Sequence, residues 1–272
     1  MINKMSQIHS SAVIGAGAKL AEDVNIGPNC VIGSGVEIGS GCIFEPNVVV
    51  GKDVKIGKNN HFFSNCSIGG WPQILGMKDE SKIGKLEIGD GNVIREQVTI
   101  HPSMHKDGLT KVGSNNLLMI GVHIGHDCVL EDMIVMSNYV QISGHCHIGK
   151  GVWLSGMVLL HQFITMGNWC YAAGMTGVNH DIPPFVIVSG HYPPRVRGVN
   201  KRGLSRAGLD EQAQKNVMRA YKALYRTGGS LLANATALAK EDWIDDNVRS
   251  MLDVIFNSTK HRYGRYLETF RD

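Results

Sequence analysis

The chain lacks any apolar run near the ~18 residues that a membrane span needs. Its opening, MINKMSQIHSSAVIG, holds no signal-peptide core or cleavage site. No membrane span is therefore expected, and the cytoplasm is the expected compartment. Neither sign of charge dominates: 27 basic residues face 24 acidic ones, too even a balance for nucleic acid or an anionic membrane to be the main partner. The six cysteines form no CxxC pair and no metal-ligand spacing, so neither a redox motif nor a zinc ribbon is indicated. Proline is scarce at 8 residues, which separates the excess of 33 glycines among 272 residues from low-complexity sequence. Glycine must instead serve a repeated structural need.

That need is visible as a stride of six. Apolar residues stand at Ile8, Ile14, Leu20, Ile26, Ile32, Ile38, Phe44, Val50, Ile56, Phe62 and Ile68. The same stride resumes through Ile88, Ile94 and Ile100, then Val112, Leu118, Ile124, Leu130, Met136, Ile142, Ile148, Leu154, Leu160, Met166, Ala172 and Val178. A helix of 3.6 residues per turn cannot hold this period. Six residues make one short strand and a turn, so three hexads close a three-sided coil and coils stack as a parallel β-helix. Glycine directly after many of the apolar residues, as at Gly15, Gly33 and Gly57, is expected to permit the corner. All six cysteines, Cys30, Cys42, Cys66, Cys128, Cys146 and Cys170, fall four residues after an apolar hexad position, a slot elsewhere filled by valine. One shared slot indicates packing, and the cysteines read as small buried hydrophobes.

The stride breaks twice, across GGWPQILGMKDESKIGKLE and across HPSMHKDGLTK. Both are candidate functional loops on a rigid scaffold. After Val178 the segment NHDIPPFVIVSGHYPPR reads as an exit loop, and helical periods follow, capped by Asp210, Ser230 and Asp242. Residues 195–272 hold 15 Lys or Arg against 9 Asp or Glu. The expected fold is thus mainly β, a parallel β-helix of hexapeptide repeats over 1–190, with a C-terminal α-helical domain over 191–272.

Histidines mark the chemistry. Equivalent positions in successive coils differ by 18, so His126, His145 and His161 are expected on one face of three successive coils, with Gly144 one coil from His126 and His123 at the adjoining corner. Such a cluster reads as corner residues without a role, as a metal site using His123 and His126 across a trimer interface, or as a general base. In the last reading Asp127 fixes the His126 tautomer and the Gly144 N–H receives an oxyanion. Periodicity alone does not separate these.

The stretch GLTKVGSNNLLMIGVHIGHDC (Gly108 to Cys128), with IREQVTIH, SGHCHIG, LLHQF, DIPPF and GVNKRGL, resembles the acyl-carrier-protein-dependent UDP-N-acetylglucosamine O-acyltransferases that begin lipid A synthesis. The resemblance spans nearly the whole chain and implies a left-handed β-helix, a helical C-terminal domain and a homotrimer. It implies transfer of a 3-hydroxyacyl group from the phosphopantetheine thioester of acyl carrier protein to the sugar 3-hydroxyl. His126 would be the general base, Asp127 its orienter and Gly144 the oxyanion donor. His101, His123, His145, His161 and Gln162 would line the sugar and acyl sites, Gly174 would lie where the acyl tail is measured, and Gln73, Asn200 and Arg206 would contact substrate. Neither metal nor cofactor is implied, because a thioester is already activated. Basic residues from Arg195 to Arg206 would meet the acidic carrier protein or a pyrophosphate. Where the family usually carries Asp and Lys after Pro-Gln, this chain has Ile74 and Gly76; a family Glu is Arg202, and the second Arg of a basic pair is Ala207. These departures all lie on the acceptor side, so a related sugar nucleotide or another small acceptor is the alternative to UDP-N-acetylglucosamine.

Overall fold

The computed structural model describes residues 7–271. By compactness the chain divides into two units, one running to His145 and the other from Cys146 onward. In the first unit, short strands, most of two residues, recur every six residues from Gln7–Ile8 through Gln141–Ile142, except across the two breaks after Ile68 and Ile100. Each pairs in parallel with the strand one coil away, as Gln7–Ile8 does with Asn25–Ile26 and Val13–Ile14 with Val31–Ile32. The coils form three sheet faces, a parallel β-solenoid. The second unit continues the hexad from His147–Ile148 to Gly177–Val178 and ends in helices.

The apolar series points inward. From Ile26 onward its members are buried through the first unit, and Phe44 and Phe62 stack with ring centroids 4.7 Å apart. Full burial of such side chains contributes about 1.5–3 kcal/mol each, and the repeat multiplies that term coil by coil. The slot four residues on is the second inward position. All six cysteines are buried there and none is in a disulfide. Thiols in this slot meet backbone carbonyls: Cys30 donates to Glu45 O at 3.1 Å, and Cys128 to Ser143 O at 3.2 Å. Burial pushes the Cys66 thiol up to about 11, so it stays protonated and inert. In three coils the slot holds asparagine instead. Asn60, Asn92 and Asn116 are buried, and each side-chain oxygen accepts the backbone N–H of the next member, ending on Ile134 N.

Two expectations about turns need correction. Apart from Gly69, glycines that follow the apolar residue do not carry the left-handed backbone. That falls two residues later, at Gly17, Asn29, Gly35, Asn47 and Asp53 among others. The glycine after the apolar residue answers a close approach between coils: a Cβ on Gly33 would lie 2.6 Å from Gly51 C, and one on Gly125 would lie 2.7 Å from Gly144 N. Second, the segment read as an exit loop contains the strand Val186–Ser189. It pairs in parallel with Tyr171–Ala172 and antiparallel with Arg195–Val199. Its proline pairs flank the strand rather than interrupt it, as their missing N–H groups require.

Helices therefore begin at Lys201, not at residue 191. They are α1 (Lys201–Arg206), α2 (Glu211–Tyr225), α3 (Leu231–Leu238) and α4 (Asp246–Ser258). Asp210 and Ser230 cap α2 and α3 as expected, accepting from Ala213 N and Ala233 N. The cap of α4 is Asp245, which accepts from Val248 N, and not Asp242. The apolar period of α4, Val248, Met251, Leu252 and Ile255, starts one turn later than Asp242 allows.

Candidate active site

Three loops of the first unit build one polar cluster. The hexad after Ile124 carries His126 and Asp127 side by side, with Asp127 in the left-handed region at φ 59°. That backbone lets neighbouring side chains converge: His126 Nδ1 lies 2.8 Å from Asp127 Oδ2. Asp127 is further held by the Ser103 hydroxyl, which donates to Oδ1, and by Met104 N, which donates to Oδ2 at 3.2 Å. The Asp127 N–H donates in turn to Thr110 Oγ1 at 2.7 Å. Burial opposes a charged carboxylate here, yet hydrogen bonds from His126, Ser103 and Met104 N, with His145 nearby, outweigh it and hold Asp127 below its ordinary pKa. Asp127 thus stays an acceptor. A His126 proton on Nδ1 meets this acceptor, which leaves Nε2 as the ring nitrogen able to accept one.

Gly144 faces that second nitrogen. A Cβ at this position would lie 2.6 Å from both His126 Cε1 and Nε2, so only glycine leaves the imidazole its place. His145, at φ 60° in the corner slot that Asp127 fills one coil earlier, packs edge-on to His126 with ring centroids 4.9 Å apart. On the adjoining sheet face His123 bonds Thr99 Oγ1 through Nδ1 at 2.9 Å, and its ring lies 5.2 Å from that of His101. His101 donates from Nδ1 to the carbonyls of Gly70 and Trp71 at 3.0 and 2.8 Å. Its buried Nε2 has no protein partner, leaving an acceptor lone pair at the floor of the cluster. Burial, reinforced by His101 and His126, pushes His123 down to about 4; burial likewise lowers His101 against its two carbonyl contacts. Both imidazoles are neutral at pH 7.

The first unit therefore joins His101, His123, His126, Asp127, Gly144 and His145. Gln73 is exposed in the loop between Ser67–Ile68 and Lys85–Ile88. His161, Gln162, Gly174, Asn200 and Arg206 belong to the second unit. There His161 and Gln162 are exposed, and a Cβ at Gly174 would meet only Gly156 O, at an ordinary 3.5 Å. Asn200 caps α1, accepting from Gly203 N and donating to Trp169 O. The Arg206 guanidinium lies over the rings of Trp153 and Trp169, 5.3 and 5.4 Å from their centroids. Sequence reasoning missed Ser103 and Thr110, the two hydroxyls that lock Asp127. The second break in the stride marked their loop but not their reach.

Comparison with known proteins meets this geometry at both ends of the chain. The family model for domain 2 of UDP-N-acetylglucosamine O-acyltransferase matches residues 181–263, and the bacterial transferase hexapeptide model matches residues 5–40. The chain is 45% identical over 256 residues to the acyl-(acyl-carrier-protein)–UDP-N-acetylglucosamine O-acyltransferase of Thiobacillus denitrificans, covering 92% of this chain and 96% of that protein. The chain belongs to this acyltransferase family. It is 43% identical to the Paraburkholderia phymatum member, over 94% of this chain and 98% of the relative. The solved UDP-N-acetylglucosamine acyltransferase of Francisella novicida superposes with a TM-score of 0.86 at 37% identity, covering 95% of this chain and 93% of that one. The chain is thus an acyltransferase of the lipid A type, and no helix among the described residues is long and apolar enough to cross a membrane.

Proposed function

We propose that this acyltransferase moves a 3-hydroxyacyl group from the thioester of acyl carrier protein to the 3-hydroxyl of UDP-N-acetylglucosamine, with His126 as general base. The observation that carries the reading is the His126–Asp127 pair at 2.8 Å, with the space left by Gly144 beyond it. His126 Nε2 removes the acceptor's hydroxyl proton as its oxygen attacks the thioester carbon. Asp127 stabilises the imidazolium that forms, and the Gly144 backbone N–H holds the oxyanion until the pantetheine thiolate leaves and is protonated. Neutral His101 and His123 offer acceptor nitrogens to sugar hydroxyls, while His145 lines the wall beside His126. A thioester needs no metal or cofactor for this transfer, and the reaction belongs in the cytoplasm, where acyl carrier protein resides.

A homotrimer is part of this reading. On one sheet face of the first unit, Val13, Val31 and Val49 align in register and are 59%, 39% and 44% exposed. The same column continues through Ser67, Thr99, His123 and Gln141. A neighbouring subunit would cover the valines and place His123 beside the joint.

Ile74 and Gly76 favour a weaker grip on the sugar than family members with Asp and Lys have, and a different sugar nucleotide is the second reading. Gly76 has φ +84°, a backbone that a lysine adopts only with strain, so the change at 76 is built into the loop's path. Incubation of the protein with 3-hydroxyacyl-acyl carrier protein and UDP-N-acetylglucosamine tests the function: mass spectrometry should find the 3-O-ester. An intact thioester alongside turnover with another sugar nucleotide would replace the acceptor, and no turnover with any would overturn the reading.

A further inference from the structure

Beyond the cluster proposed for catalysis, the loop 101–108 contributes one more imidazole. The Ser103 hydroxyl that donates to Asp127 also accepts the His105 N–H at 3.0 Å, and Gly108 N donates to the His105 carbonyl at 2.8 Å. This tight turn presents the exposed His105 ring toward that of His145, with centroids 6.1 Å apart. His145 Nε2 in turn lies 3.9 Å from Asp127 Oδ2. One ligand atom from each of His105, Asp127 and His145 falls within 4.8 Å of the others.

We infer that His105, Asp127 and His145 form an inhibitory binding site for a divalent transition metal, with zinc the best fit. Two imidazoles and one carboxylate are a borderline donor set that suits zinc over magnesium or calcium. Three protein ligands with the fourth position left to water is a coordination that zinc adopts. Bonds of about 2.0–2.1 Å place tetrahedral ligand atoms about 3.3 Å apart, so the trio must close slightly. His105 is exposed and its ring is free to swing. Asp127 cannot serve both partners fully: a zinc ion on its Oδ2 competes with His126 Nδ1 for the same oxygen. A bound ion would also stand close to the His126 ring, whose centroid lies 4.9 Å from that of His145. Zinc therefore acts as an inhibitor and not as a cofactor, and His105 gives the protein a metal sensitivity that its catalytic pair alone lacks. The inhibition rests on the role proposed for Asp127, whereas the binding does not.

The test titrates the chelator-treated full-length protein with zinc chloride by calorimetry, alongside thioester turnover with and without zinc. The expected result is one zinc per chain, an X-ray absorption spectrum with two imidazoles in the coordination shell, and at least tenfold loss of turnover that a chelator reverses. His105→Ala and His105→Gln should keep zinc-free turnover and weaken zinc binding by more than the roughly 10–100-fold that loss of an outer-shell partner causes. Zinc binding unchanged in both variants, or no binding by the wild type at millimolar zinc, overturns the site. Binding that depends on His105 but leaves turnover untouched overturns the inhibition and the part given to Asp127, while the metal site stands.

Discussion

The early corners of the solenoid and the later ones share one backbone and differ in what they place on it. Most corners three residues after an apolar residue of the series take the left-handed conformation. In the early coils that position is Gly17, Asn29, Gly35, Gly41, Asn47, Asp53, Asn59 and Asn65, residues that adopt it at little cost. From residue 127 onward it is Asp127, Met133, Tyr139, His145, Met157, Phe163, Trp169 and Met175, at φ 57–65°, with Gly151 the one glycine among them. Larger side chains in this region cost about 1–2 kcal/mol each, and such strain persists where the side chain has a task. Asp127 and His145 give the task in the first unit: the corner slot aims them at His126. Met133, Met157 and Met175, each at least 40% exposed, use the same slot to project apolar surface. The fold is therefore indifferent to chemistry, and function is written in the side chains that its corners present.

The sharpest way to break this contrast is to add one methyl in each region. Gly144→Ala puts a Cβ against the His126 ring, a side chain that can swing, so turnover should fall by on the order of 10²-fold or more with little loss of thermal stability. Gly33→Ala instead meets the backbone of the next coil and should destabilise by about 1–3 kcal/mol, measured by denaturant unfolding, without a specific effect on KM. Asp127→Asn installs the residue that early corners already carry. The fold should be unmoved, and turnover should drop about 10–100-fold, the scale on which orienting partners act; turnover equal to wild type would detach Asp127 from the mechanism. Met133→Asn should stabilise the isolated protomer by about 1 kcal/mol while weakening self-association in sedimentation.

The smallest effect is a pH slope. His101 and His123 have pKa values below the ordinary 6.5, so below pH 6.5 the unfolded chain binds protons that the folded chain refuses. The stability they allow is complete above pH 6.5 and is lost as pH falls toward about 4. Asp181, pushed up to about 6 by burial, pulls the other way over much of this window. The slope should therefore be measured with Asp181→Asn as background, and NMR should show His123 titrating near 4.

The sequence carried the fold because its period is rigid: a residue every six positions has one geometric solution, and the cysteines in the second inward slot confirm its phase. It also carried the pairing of His126 with Gly144, since 18 residues separate equivalent positions of adjacent coils in unbroken stretches. What it did not carry lies where that arithmetic lapses. Ser103 and His105 sit in a loop whose path no period describes, and their reach to Asp127 depends on a turn closed by Gly108. The reason for glycine after the apolar residue was misread because close approach between coils leaves the same mark in a sequence as a left-handed corner. Asn60, Asn92 and Asn116 hid in a slot read as apolar. A buried asparagine is tolerable there because each side-chain oxygen accepts a backbone N–H of the next coil.

The most direct test of the account is the turnover of His126→Ala with acyl carrier protein thioester and UDP-N-acetylglucosamine. His126 is at a corner and outside the apolar core, so its loss should leave the unfolding transition where it is. Loss of a positioned general base should lower turnover by roughly 10²–10⁴-fold and flatten the acidic limb of its pH profile. A folded His126→Ala protein with turnover and pH dependence close to wild type would contradict the account at its centre.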